Sequence, residues 1–136
     1  MSRRIYVAGG SDERREAQAA IDALKAAGWT VTHEWPKDQG YPENGGIPQG
    51  AASARLDMAG VVAAPFFWLR VPANKSEGGF AELGGAIVLR RFAPISYEKR
   101  CVIVSGPWER SIFAELADLK FTEHAQALAW LLEQAT

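Results

Sequence analysis

The chain has 136 residues, and 15 Lys+Arg against 16 Asp+Glu leave a formal net charge of -1. That length fits one domain with an ordinary core and is too short for two; 48% hydrophobic and 23% charged residues exclude a disordered chain. The near-neutral balance argues against a nucleic-acid polymer or an anionic membrane surface as the main partner, and the single cysteine, Cys101, excludes an intrachain disulfide or a cysteine-rich metal cage.

The opening MSRRIYVAGGSDERR turns charged too soon for a secretory signal, and no apolar run approaches the ~20 residues of a membrane span. A cytoplasmic protein with one domain over residues 1–136 is the expectation. Residues 4–8 (RIYVA), ended by Gly9-Gly10, predict a buried strand. A helix should follow, capped by Ser11 or Asp12, with Ala20, Ile21, Leu24 and Ala27 at helical spacing and a stop at Gly28. Residues 29–35 (WTVTHEW) alternate and predict a second strand, completing a βαβ unit and hence a parallel sheet.

Residues 36–50 (PKDQGYPENGGIPQG) are rich in Gly and Pro and long for a plain connection, which suggests an active-site lid or a disordered loop. A short helix is expected over 51–58, then a central strand over the apolar run 61–69 (VVAAPFFWL), in which Pro65 is awkward because it cannot donate to a ladder. A loop over 70–77 leads to a helix over 78–91. Further strands are expected at 101–105 (CVIVS) and 119–121, with a helical turn at 112–116 between them. An amphipathic helix over 122–134 closes the chain, with Thr122 as N-cap and Ala125, Leu128, Leu131 and Leu132 inward. The fold class is α/β, a Rossmann-like three-layer fold with a four- to five-stranded, mostly parallel sheet.

Ligands of open α/β sheets bind beyond the carboxyl ends of the strands, which singles out the segments after the first, third and fourth strands. After the first, Gly9, Gly10 and Ser11 allow close backbone approach at a helix start, with Arg14 and Arg15 near. For that segment alone a plain turn capped by Ser11, with both arginines on a solvated face, is the favoured reading, because GGS is not a dinucleotide or P-loop fingerprint. The block SEGGFAELGGA (76–86) sets four glycines in or beside a helix, each interior one costing about 1 kcal/mol against alanine. Gly78, Gly79, Gly85 and Ala86, the helical neighbours of Glu82, are all small. With Phe80, Leu83 and Ile87 turned to the core, Glu82 is left in a trough with room for a ligand; close helix–sheet packing is the bland alternative. Asp57 alone would be a helix-end carboxylate and Tyr6 a core tyrosine.

Taken together, IYVAGG, Asp57 eight residues before Pro65, and SEGGFAELGGA resemble the nucleoside 2-deoxyribosyltransferase superfamily over residues 5 to about 118. The resemblance implies cleavage of the N-glycosidic bond of a deoxynucleoside or its 5'-monophosphate, with Glu82 as nucleophile, Asp57 as active-site aspartate and Tyr6 orienting the glutamate. Six residues before the nucleophile, transferases acting on free nucleosides carry Asp, while the 5'-monophosphate N-hydrolases carry a serine that contacts phosphate; here it is Ser76. The substrate contacts implied are therefore Gly9, Ser11, Arg14, Ser76, Gly78 and Gly79, with Ser111 matching a phosphate contact supplied by a partner subunit. Ala64-Pro65 departs from the family's usual Ala-Asp, and neither 36–50 nor Phe66-Phe67-Trp68 matches closely.

Glu82 would attack C1' and form a glycosyl-enzyme ester, and Asp57 would hold the sugar hydroxyl or protonate the leaving base. The expected product is free base plus sugar 5-phosphate. A transferase moving the sugar between free bases and a non-catalytic nucleotide-binding module are the alternatives. No cofactor and no metal are expected, since His33 and His124 are few and far apart; both are assigned structural roles. Trp35, Tyr41 and Trp68 are candidates for stacking on the base, with core packing as their default. So short a chain has few loops to enclose a nucleotide, which points to a homodimer or higher homo-oligomer.

Overall fold

The chain runs β1 (Arg4–Ala8), α1 (Arg14–Ala26), β2 (Thr30–Val31), α2 (Gly50–Ala63), β3 (Phe66–Arg70), α3 (Glu77–Phe92), β4 (Cys101–Ser105), β5 (Leu119–Phe121) and α4 (His124–Gln134). These elements come from a computed structural model that describes residues 3–38, 50–74, 77–92 and 99–134. All strands are parallel, in the order β2-β1-β3-β4-β5. Ile5 pairs with Phe66 and Tyr6 with Phe67, and Arg70 at the end of β3 faces Ser105 at the end of β4. The order reverses between β1 and β3, so the crevice past their carboxyl ends is the topological switch point where such sheets take ligands.

Alternation along the central strands sorts the core into two layers. Tyr6, Ala8, Phe67, Leu69, Val102 and Val104 meet Val61 of α2 and Leu83, Ala86 and Ile87 of α3. Ile5, Val7, Phe66, Trp68 and Ile103 meet Ala20, Ile21 and Leu24 of α1 and Ala127 and Leu131 of α4. With β1, β3 and β4 covered on both faces, their side chains are almost wholly apolar, each buried Ile or Leu contributing about 1.5–3 kcal/mol.

Several expectations are corrected. The run 61–69 is not one strand: α2 continues through Ala63, and the strand starts at Phe66. Pro65 therefore sits at the turn, where its missing N–H costs nothing. Residues 29–35 yield only a two-residue edge strand, because Trp35 instead enters a 3-10 turn (Trp35–Lys37) and donates its indole N–H to Val7 O at 2.7 Å. Neither Ser11 nor Asp12 caps α1, which a 3-10 turn (Ser11–Glu13) precedes and which has no side-chain cap. The carboxylates of Asp12 and Glu13 accept bonds from Asn74 Nδ2 and the Ala73 amide instead. Thr122 lies outside α4; Gln126 Oε1 accepts the Glu123 amide, and Ala127, not Ala125, is on the inner face. The stop at Gly28 holds: its φ of +100° suits glycine alone, and its N–H closes on Lys25 O.

Candidate functional site

Tyr6 occupies the middle of β1 on the face covered by α2 and α3, wholly buried. A buried phenol needs a partner, and its hydroxyl donates to Glu82 Oε2 at 2.7 Å. Glu82 lies on the inner face of α3 with Leu83, Ala86 and Ile87, and only 8% of it is exposed. Asp57 approaches from α2, held close because Gly60, one turn further on, has no side chain. A Cβ there would lie 2.9 Å from both Tyr6 Cδ2 and His33 Cβ. Thr32 Oγ1 fixes the same turn by donating to Gly60 O at 2.7 Å.

The electrostatics follow from burial. Loss of water raises the Glu82 carboxyl to about 8; the Tyr6 hydrogen bond opposes the rise and the Asp57 charge adds to it. Burial likewise raises Asp57 to about 6, against the pull of His33 and with a push from Asp38. Two interacting carboxyls titrate as a pair, so between these values they hold one proton between them. One Asp57 oxygen, Oδ1, is buried without a hydrogen-bond partner.

His33 was not expected here. Its Nε2 lies 2.9 Å from Asp38 Oδ2 and 3.5 Å from Asp57 Oδ1, so the histidine read from the sequence as structural stands beside the carboxyl pair. The ligand atoms of His33, Asp38 and Asp57 fall within 4.8 Å of one another, close enough to hold a divalent cation. The available signal was positional. His33 follows β2, and the carboxyl end of that strand belongs to the ligand side of the sheet as much as the three segments singled out. Gly60 and Asp38 carried no such signal, since only the fold brings them to Tyr6 and His33.

The chain matches no protein-family model and no characterised protein.

Tyr6, Asp57 and Glu82 are brought together; the substrate-contact residues are placed less uniformly. Gly9 and Gly10 end β1 at the switch point, where a Cβ on Gly10 would press on Pro72 at 3.0 Å. Ser11 and Arg14 lie on the next turns, half-buried. Ser76 falls outside the described residues, as do residues 39–49 of the lid segment, Tyr41 among them. Gly78 is exposed on the first turn of α3 with nothing within 4 Å of an added Cβ, and Gly84 is equally unconstrained. Tight helix–sheet packing thus explains neither, whereas a Cβ added at Gly85 would lie 2.9 Å from Met58 Cε. Gly79 is buried on the same turn as Gly78. Ser111 makes no contact with the carboxyl pair: its Oγ accepts the Phe113 amide at 3.2 Å. The adjacent Arg110 donates to Pro72 O, Ala73 O and Asn74 O, tying the segment after β4 to the one after β3. Trp35 and Trp68 are core residues, 3% and 1% exposed, in line with their core-packing default, and Trp68 faces α1 and α4, on the side of the sheet away from Glu82.

Proposed function

We propose that the protein cleaves the N-glycosidic bond of a (2'-deoxy)nucleoside 5'-monophosphate, releasing free base and sugar 5-phosphate. One observation carries the reading: a buried carboxyl on α3 hydrogen-bonded by a strand tyrosine at 2.7 Å, with a second carboxyl beside it. The motif resemblance of the 76–86 block supports the substrate class, and Ser76 with the Gly78 and Gly79 turn is assigned to the phosphate.

A glutamate nucleophile must be ionised, while the departing base needs a proton. A pair holding one proton meets both needs in its minor tautomer, with the proton on Asp57 and Glu82 bare. Tyr6, donating to Glu82, favours that form and fixes the carboxylate's direction. Glu82 attacks C1' as the C1'–N bond breaks through an oxocarbenium-like transition state, Asp57 gives its proton to the leaving base, and a glycosyl ester remains. Water then attacks C1', passes its proton to Asp57 and frees Glu82. Gly9, Ser11, Arg14 and Ser111 are assigned to the rim, the last in a homodimer whose neighbour supplies it.

Incubation with a panel of nucleosides and 5'-monophosphates, followed by chromatography for free base, tests this. Base release from monophosphates is expected, reduced by at least about 10³-fold in Glu82→Gln. Release from nucleosides only, with transfer to an added base, selects the transferase alternative. Binding of a monophosphate with no base release from any substrate selects the non-catalytic module.

A further inference from the structure

On the opposite face of the sheet from Glu82, a cavity of about 300 Å³ opens between the first turns of α1 and the start of α4. Trp68, Ala19, Ala20, Leu128 and Ala125 give it apolar walls, and Glu16, Arg70 and His124 are its ionisable side chains. Arg70 is the anomaly. It ends β3 on the face of Phe66 and Trp68, and is 92% buried, 8% of its surface remaining exposed. Its Nε is fully buried with no hydrogen-bond partner, and among the described residues no carboxylate pairs with its guanidinium. Its Cζ lies over the Trp68 ring, 5.9 Å from the centroid. A buried, unpaired guanidinium is costly unless something pairs with it.

The facing groups define what that something is. Trp68 Nε1, which can only donate, gives its proton to Ser105 Oγ at 2.8 Å, and Ser105 Oγ lies 2.7 Å from His124 Nδ1. Ser105 is fully buried, so its own proton finds an acceptor only if Nδ1 is bare. Burial, with Arg70 near, lowers His124 to about 4, so at neutral pH the ring is uncharged and carries its proton on Nε2. The cavity is thus lined by one cation, one neutral imidazole and apolar walls, while Glu16 in the wall and Glu13 beyond it act on Arg70 electrostatically. Against Glu16 and Glu13 each added negative charge is costly, so a dianion is disfavoured more strongly than a singly charged planar anion, which matches the guanidinium fork.

We propose that this cavity binds a small monocarboxylate with an apolar or aromatic body, the carboxylate paired to Arg70 and the body packed on Trp68, Ala20 and Leu128. The site is separate from the carboxyl pair and stands whether or not that pair is catalytic.

Calorimetric titration and amide NMR with benzoate, phenylacetate, benzamide and inorganic phosphate test it. Saturable binding of benzoate or phenylacetate is expected, with shifts at Arg70 and His124, and benzamide should bind about tenfold or more weakly, a difference of ~1.4 kcal/mol. Arg70→Met should abolish binding while keeping or raising the melting temperature, because it removes an unpaired buried charge. Leu128→Trp, which fills the cavity and leaves Arg70 in place, should also abolish it. The proposal is overturned by absence of carboxylate binding, by equal affinity for benzamide, by preference for phosphate, or by undiminished binding in both variants.

Discussion

The proposed chemistry rests on a few side chains whose properties are set by burial. Glu82 and Asp57 are both held above the usual carboxylate range, at about 8 and about 6, chiefly by loss of water. If the singly protonated pair is the active form, kcat/KM should follow a bell, falling below about pH 6 as the second proton is taken up and above about pH 8 as the last is lost. A monotonic profile across that range would dissociate the two carboxyls. Tyr6→Phe removes the bond that favours ionised Glu82, so the alkaline limb should move to higher pH as turnover drops by about 10–100-fold. Stability has its own signature. A carboxyl raised from 4.5 to about 8 on folding stabilises the fold fully only below its unfolded value, and that contribution is lost as pH rises through the folded one. At ~1.4 kcal/mol per pKa unit, Glu82→Gln should gain on the order of a few kcal/mol over the natural chain at pH 9 and little at pH 4. Denaturant titrations at both values measure it, and equal effects at the two would contradict the burial argument. Tyr6, Asp57 and Glu82 were legible in the sequence through the motif and through the small residues around Glu82. His33 and Asp38 were not, because their proximity to Asp57 arises only when the segment after β2 folds against α2.

At the level of elements, the central strands RIYVA and CVIVS were legible because residues covered on both faces must be almost wholly apolar. One error fell where a single apolar run served two elements. In VVAAPFFWL the end of α2 and the first four residues of β3 are equally hydrophobic, so periodicity has nothing to distinguish, and the proline was the only mark of the boundary. The glycines divide in the same way. Gly60 carries the approach of α2 to β1, since an added Cβ would collide at 2.9 Å with a fully buried tyrosine ring. Gly60→Ala should therefore lower stability by about 1–3 kcal/mol and reduce turnover further by moving Asp57 away from Glu82. Gly84→Ala is the control on the neighbouring helix. With nothing within 4 Å of the new methyl, it should stabilise the protein by up to ~1 kcal/mol and leave activity unchanged. Melting temperatures moving in opposite directions for the two variants are the expected result; a shared direction would show that α2 is not held by this contact.

For the whole molecule, the parallel sheet leaves α1 and α4 on one side and α2 and α3, which bear the carboxyl pair, on the other. The second side is unusually apolar outside as well as in. Leu56 and Val62 on α2 and Val88 and Phe92 on α3 are exposed, Phe92 by 72%, and Ile112 and Phe113 project from the turn beside α3. Exposed apolar side chains gathered on two adjacent helices are characteristic of a surface covered in the working protein. Here the same helices hold the site and the same turn begins at Ser111. A second copy docked on this face by twofold symmetry would cover those side chains and bring its own residues 110–113 towards the entrance, which a 136-residue chain has little else to enclose. The prediction is a homodimer whose dissociation and loss of activity go together. Sedimentation of the natural chain should give about twice the monomer mass, and the pair Val88→Asp and Phe92→Glu should give a folded monomer with an intact circular dichroism spectrum. Full base release by that monomer would separate the catalytic site from the dimer; a natural chain that sediments as a monomer while turning over substrate would remove the dimer altogether.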